Sequence, residues 1–300
     1  MKLRIVKRFL PFILFVLVTT ISYGQSQPKP GVFYAVTGKG SKDTSWLFGT
    51  YHLINGSYLN ETPAVMRAFT KAKNTVVEII IDSTELATAN TKALLQNKRL
   101  SELFSKEFSD SLDKELKTSI GQGIAQFDAV KPMTVILTLS MVNLMRDNRD
   151  LLSRYTGVPL DVYFVNKQKE AGKTVTALET LTQQMDMLFN TLSDEAQADM
   201  VQQFIRNKEQ AINLGNELVK NYFENDLDKM YAVYKRSVQA GGDMDFLVTN
   251  RNNNWMKVLP SMINQQSNFI AVGALHLAGP GGLVAQLQKA GYTVTPQTIK

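Results

Sequence analysis

Cysteine is absent from this 300-residue chain. A disulfide framework is therefore excluded, and so are a thiolate nucleophile, a thiolate metal ligand and a lipid-modified cysteine. Histidine is nearly absent, with two residues, His52 and His276. Any chemistry that needs an imidazole must use one or both of them. An excess of basic charge is also missing where it would matter. The chain carries 33 Lys and Arg against 27 Asp and Glu. Four of the basic residues (Lys2, Arg4, Lys7, Arg8) precede the apolar stretch Phe9 to Thr20, which leaves 29 against 27 in the rest, a net of +2. No basic stripe interleaves with aromatic residues, so nucleic acid is excluded as a partner.

The basic start, the apolar stretch and the small residues Ser22 and Gly24 form the pattern of a cleavable signal peptide over residues 1–24. The apolar stretch is short for a bilayer span, which needs roughly 20 residues. A periplasmic or secreted protein without a stable membrane anchor is expected, with residues 25–300 forming a single domain. The lack of cysteine favours a bacterial envelope. The sequons at Asn55 and Asn60 then carry no meaning.

Strand signals gather at the two ends of the chain. Val32 to Val36 and Trp46 to Tyr51 flank a Gly-rich turn and predict a hairpin. Thr75 to Ile81 is a run of β-branched residues interrupted by Glu78, which predicts a strand buried on both faces. Residues 83–250 read as a large helical insertion, interrupted by the unit Asp161 to Ala177, a helix, a glycine and a strand. The last fifty residues return to alternation: a helix over Trp255 to Asn264 kinked or split by Pro260, a strand over Phe269 to Leu275, a helix over Leu283 to Ala290 and a final strand. The expected fold class is α/β. Its mostly parallel central sheet is built from the N- and C-terminal segments and flanked by helices. Ligands in such sheets bind beyond the carboxyl ends of the strands.

Both histidines fall at that end and share one context. Gly49-Thr50-Tyr51-His52-Leu53 and Gly273-Ala274-Leu275-His276-Leu277 are each an apolar strand followed by Gly-x-x-His-Leu. Glycine in a strand admits close approach of another backbone or a ligand. Imidazole serves as a metal ligand or as an acid and base near neutral pH. Glu78 is costly to bury alone and should face a cation, a metal or the strand end, with Asp82 nearby. Glu179 follows its own strand in the same position. Arg251 and Asn252 open a helix, where they could hold an anionic or carbonyl oxygen. Gly279-Pro280-Gly281-Gly282 lacks the Lys-Ser/Thr end of a phosphate loop and reads as a turn. Each histidine is expected at the edge of a cleft, carrying little core packing.

These residues resemble the TraB/GumN family, whose animal branch includes the TIKI proteases. The resemblance rests on Leu47 to His52, Val76 to Glu78, Gly157 to Asp161, Leu178 to Thr180 with Gln184, Arg251 and Asn252 with Trp255, and Val272 to Gly282. It implies two Gly-x-x-His motifs and an essential glutamate around one site. TIKI-like members are divalent-metal-dependent proteases favouring manganese or cobalt. By match, His52, Glu78 and His276 would be central, with Arg251 and Asn252 supporting. The leading expectation is an exported metal-dependent hydrolase, a peptidase acting on a peptide or protein substrate. Its divalent ion would be manganese, cobalt or zinc, held by His52, His276 and Glu78, and Glu78 or Glu179 would act as base. The alternative is a haem-, metal- or partner-binding envelope protein of the same fold, without turnover.

Overall fold

A computed structural model describes residues 29–241 and 245–300. The expected signal peptide lies outside the described residues. Among the described residues no helix is long and apolar enough to cross a membrane.

Six strands form one sheet: β1 (Phe33–Thr37), β2 (Ser45–Thr50), β3 (Asn74–Val77), β4 (Thr174–Ala177), β5 (Asn268–Gly273) and β6 (Thr293–Pro296). Their order is β4-β3-β5-β2-β1-β6. The four strands β4, β3, β5 and β2 are mutually parallel, while β1 pairs antiparallel with both β2 and β6. The hairpin β1–β2 forms as expected; Gly38, Lys39 and Gly40 all turn through positive φ, which two glycines make inexpensive. The sheet is therefore mixed and mostly parallel, and one of its edges, β4, comes from the middle of the chain rather than from its ends.

Thirteen α-helices are defined among the described residues. Those that matter for the site are α1 (Pro63–Lys71), α4 (Pro132–Asp147), α6 (Leu160–Glu170), α7 (Leu181–Asn190), α9 (Lys208–Phe223), α10 (Leu227–Gly241), α11 (Thr249–Trp255), α12 (Leu259–Gln265) and α13 (Leu283–Lys289). Helices α1 and α6 pack on the sheet through Phe69 and Phe164, which meet Phe269 at ring-centroid distances of 5.4 and 4.9 Å. A second, smaller apolar cluster under Leu100, Leu112, Leu116 and Leu139 holds part of the helical segment together.

One strand is shorter than expected, and the split expected near Pro260 is found. The run Thr75 to Ile81 is a strand only as far as Val77. Beyond it the main-chain N–H of Gly273 goes to the Glu78 carboxylate, 2.7 Å away, rather than to the β3 backbone. The strand thus ends where β5 turns into the 3-10 helix Ala274–Leu277. The helix expected over Trp255 to Asn264 is two helices. Trp255 closes α11, and Pro260 sits in the first turn of α12, where its missing N–H is not needed.

Candidate functional site

The four parallel strands each deliver one candidate side chain at the carboxyl end of the sheet. Glu78 follows β3 directly, Glu179 lies two residues beyond β4, His52 two beyond β2, and His276 three beyond β5. Glu78, His52 and His276 meet over Gly273. A β-carbon added there would lie 3.2 Å from Glu78 Oε1, 3.5 Å from His276 Cδ2 and 3.9 Å from His52 Nε2. Gly49 is needed for a related reason, since a β-carbon there would press 2.8 Å from Ala274 Cα. The two glycines of the repeated motif thus let two strand ends and their histidines close on one another.

Arg251 sits at the centre of a buried charge network. Its side chain is 9% exposed, and those of Glu78 and Glu179 are 7% exposed. One guanidinium nitrogen, Nη2, donates to Glu78 Oε2 at 2.5 Å and also to Glu179 Oε1. Nε donates to Glu179 at 2.9 Å, and Nη1 donates to Leu247 O at 3.2 Å and to His276 Nε2 at 3.0 Å. The guanidinium also lies over Trp255, 4.8 Å from the ring centroid, and Trp255 Nε1 donates to Glu179. Gln184 on α7 bridges both carboxylates, at 3.2 and 3.1 Å. Every donor position of the guanidinium is committed inside the protein, so Arg251 organises the two glutamates rather than offering a free hand to a substrate oxygen. Burial pushes the Glu78 carboxyl up, but the cationic surroundings and the Gly273 N–H outweigh it and hold the carboxyl below its ordinary range. His276 is neutral above about pH 3, so at neutral pH the cations that hold Glu78 low are Arg251, in direct contact with it, and the protonated His52.

The two histidines differ. His276 is 6% exposed, and its ring packs 4.4 Å from that of Trp255. Asn252 Nδ2 donates to the carbonyls of His276 and Gly281, which leaves Asn252 Oδ1 to accept from His276 Nδ1 at 2.8 Å. His276 is thereby fixed as the neutral Nδ1–H tautomer, and burial pulls its pKa down to about 3. His52 is 68% exposed within the cleft. Its Nδ1–H donates to Asp161 Oδ2 at 2.7 Å, and Thr50 donates to the other Asp161 oxygen at 2.6 Å. The Asp161 hydrogen bond lifts His52 to about 9.

Asp161 carries no role in the sequence reading. It looks like an ordinary acid in the first turn of α6, where the helix dipole favours one. Only the fold brings it to His52. Asp161→Asn should drop the titration midpoint of His52 from about 9 towards its ordinary 6.5. Histidine ring proton NMR over pH 5 to 10 measures this, and an unchanged midpoint would remove Asp161 from the site. Asp82, by contrast, is outside the cluster and caps the N-terminus of the helix Ser83–Thr91 through the N–H of Thr84.

The unequal burial also overturns the expectation that both histidines carry little packing. His276→Ala should destabilise the fold by about 2–4 kcal/mol, because it opens a gap beside Trp255 and strands the buried Asn252 Oδ1. His52→Ala should cost under about 1 kcal/mol, as an exposed side chain does. Urea unfolding of the two variants compares them directly, and equal costs would contradict the geometry.

A cavity of about 540 Å³ opens beside the cluster, between the strand ends and helices α4, α9 and α10. A second, of about 400 Å³, opens on the side of Ile79 to Ile81 and α6. Both include His52 and Glu78 in their walls. Among the described residues, no three His, Asp or Glu side chains are grouped closely enough to hold a metal ion as they stand. At His276 the Nε2 lone pair accepts from Arg251.

With this arrangement in view, the sequence itself places the chain in a known class. Residues 32–296 match the TraB/PrgY/gumN family, and the chain belongs to that family. No curated protein and no solved structure matches it.

Proposed function

We propose that this family member is an exported hydrolase that cleaves peptide bonds with the help of a divalent ion. One observation carries the reading. Two histidines from separate strands reach the same point over Gly273, His52 with Nε2 and His276 with Cδ2, beside the Glu78 carboxylate, whose Oε1 lies 3.7 Å from His276 Nε2. In each ring Nδ1–H is tied to a side-chain acceptor, Asp161 or Asn252. Ligand histidines are held in this way, one nitrogen anchored and the other presented.

Two imidazoles and a carboxylate suit manganese, cobalt or zinc in donor chemistry. His52, Glu78 and His276 would hold the ion, which would supply an activated water and polarise a carbonyl. At His276 the bond from Arg251 must first give way. Glu78 is held ionised, with both oxygens engaged, so it is a poor proton acceptor and serves as a ligand rather than as the base. Asp161 keeps a proton on His52 in neutral solution. The neutral imidazole that can ligate therefore grows as pH rises from 7 to 9, and ion affinity and turnover should both rise over that range.

The experiment incubates the purified protein with a peptide library and manganese, cobalt, zinc or a chelator. Cleavage is read by mass spectrometry and ion binding by calorimetry. Expected are ion binding near one equivalent and cleavage that the chelator abolishes. Neither binding nor cleavage with any ion would refute the proposal. Stoichiometric retention of a ligand without product would favour the binding-protein alternative.

A further inference from the structure

We propose that the site takes an extended peptide and cuts it internally, with apolar side chains seated on both sides of the reacting bond. The inference rests on the peptidase reading above and adds to it the direction and chemistry of the substrate. The two cavities share only His52 and Glu78 as a common wall and are otherwise lined by different elements, one by α4, α9 and α10 and the other by the end of β3 and α6. A ligand that ends at the cluster fills one of them and leaves the other open. A chain that continues past the cluster fills both.

The walls give the chemistry. The larger cavity is bounded by Leu137, Met141 and Leu144 on α4 and by Val248 before α11. The smaller has Ile80, Ile81 and Val162. Among the described residues eight large apolar side chains are exposed, and three of them fall here: Leu137 and Met141 at one cavity, Ile81 at the other. Apolar groups left open at the mouth of a cavity beside a polar cluster mark a place where something apolar binds. Met is also the side chain best suited to adapt to varied partners. Both cavities are large enough for an apolar side chain of any size, so the prediction is an apolar residue on each side of the reacting bond.

The test uses octapeptides capped at both ends and carrying a fluorophore. One has Val-Phe or Leu-Phe at its centre, and its counterpart has Ser-Asn there. Binding is followed by fluorescence anisotropy and cleavage by mass spectrometry. The variants are Met141→Asp and Ile81→Asp, both at half-exposed positions outside the reacting cluster. Their melting temperatures show that they are folded. The apolar peptide should bind at least about tenfold more tightly than the polar one, and each variant should weaken it by about fivefold or more, as the loss of one buried apolar side chain does. If only one variant weakens binding, the site is one-sided and the inference fails. It also fails if decanoate binds and blocks the site while the peptides do not bind, since the ligand is then an acyl chain. Cleavage confined to a chain end in uncapped versions overturns internal cutting. Cleavage without apolar preference overturns this inference and leaves the peptidase reading standing. Tight apolar binding at both cavities without cleavage overturns the peptidase reading and internal cutting with it.

Discussion

Arg251→Met should lower the unfolding free energy at pH 7.5 by about 3–5 kcal/mol, among the largest effects of any single substitution in this protein. Among the described residues the guanidinium is the only cation in contact with both Glu78 and Glu179, whose side chains are each 7% exposed. Removing it leaves two negative charges close together in a poorly solvated place, and methionine fills the volume without supplying a donor. The pH dependence separates this cause from lost packing. In the wild type the Glu78 carboxyl is held below its ordinary 4.5, so its stabilisation is complete above that pH and is lost as the solution is acidified towards the folded value. In the variant the sign reverses. Without the cation, burial raises the Glu78 carboxyl above its unfolded value, so the folded state binds protons more readily than the unfolded one. The deficit should therefore be largest at pH 7.5 and shrink as the pH falls to about 5. Urea unfolding at the two pH values measures it. A deficit below about 1 kcal/mol, or one of equal size at both values, would show that the network is not electrostatic in origin. Arg251→Lys should fall between wild type and Met, because it keeps the charge and loses the fork that reaches Glu78, Glu179 and His276 together.

Some of this arrangement is legible in one dimension and some is not, and the reasons are physical. The repeated Gly-x-x-His is legible because it is local. A strand end and a glycine that admits Ala274 or Glu78 at close range fall within a few residues of each histidine. Glu78 is legible because a charge inside a β-branched run contradicts its neighbours. The sheet's parallel core follows from the same apolar runs and from the Leu160–Glu170 helix feeding β4. Arg251 stands out less, because its partners lie 72, 173 and 25 residues away, and nothing in the helix around it tells which way its side chain turns. Sequence position suggests an open helix start that could meet a substrate oxygen, whereas the fold spends all of its donors on the protein. Asp161 and Gln184 fall among the residues that carry the family resemblance, yet their roles are hidden for the opposite reason. An acid in a first helical turn and a glutamine after a Thr-x-x-Gln capping box satisfy ordinary local rules, so their second contacts leave no local trace. The true end of β3 is hidden too. Ile79, Ile80 and Ile81 have strand chemistry, yet they leave the sheet because the neighbouring strand has already turned away, and Ile81 emerges on the surface.

Glu78→Gln should reduce turnover at least about 100-fold and weaken ion binding with it. The substitution preserves the outline of the side chain but not its hydrogen bonding. The carboxylate accepts the Gly273 N–H on one oxygen, and Arg251 and Gln184 on the other. An amide has a single acceptor, so one of these two sets of donors must face an NH2 group. If the oxygen stays on Gly273, the amide nitrogen points at Arg251 and the cation loses one of its two counter-charges. If it turns to Arg251, the Gly273 N–H loses its partner at the end of β5. Either way the fold should lose about 1–3 kcal/mol, the cost of one buried group left without its bond. Melting and ion titration on the same sample then separate the roles. Loss of turnover together with loss of ion affinity, in a protein still folded at the assay temperature, assigns Glu78 as a ligand. Full ion affinity with turnover lost would make Glu78 the base after all, despite a carboxyl held low by its surroundings. Full turnover would remove Glu78 from the chemistry altogether. Glu179→Gln provides the comparison, because Glu179 binds Arg251 and Trp255 and lies outside the point over Gly273 where the two histidines meet. It should cost stability of the same order and leave ion affinity within about threefold of wild type, as a residue that acts only through Arg251 does.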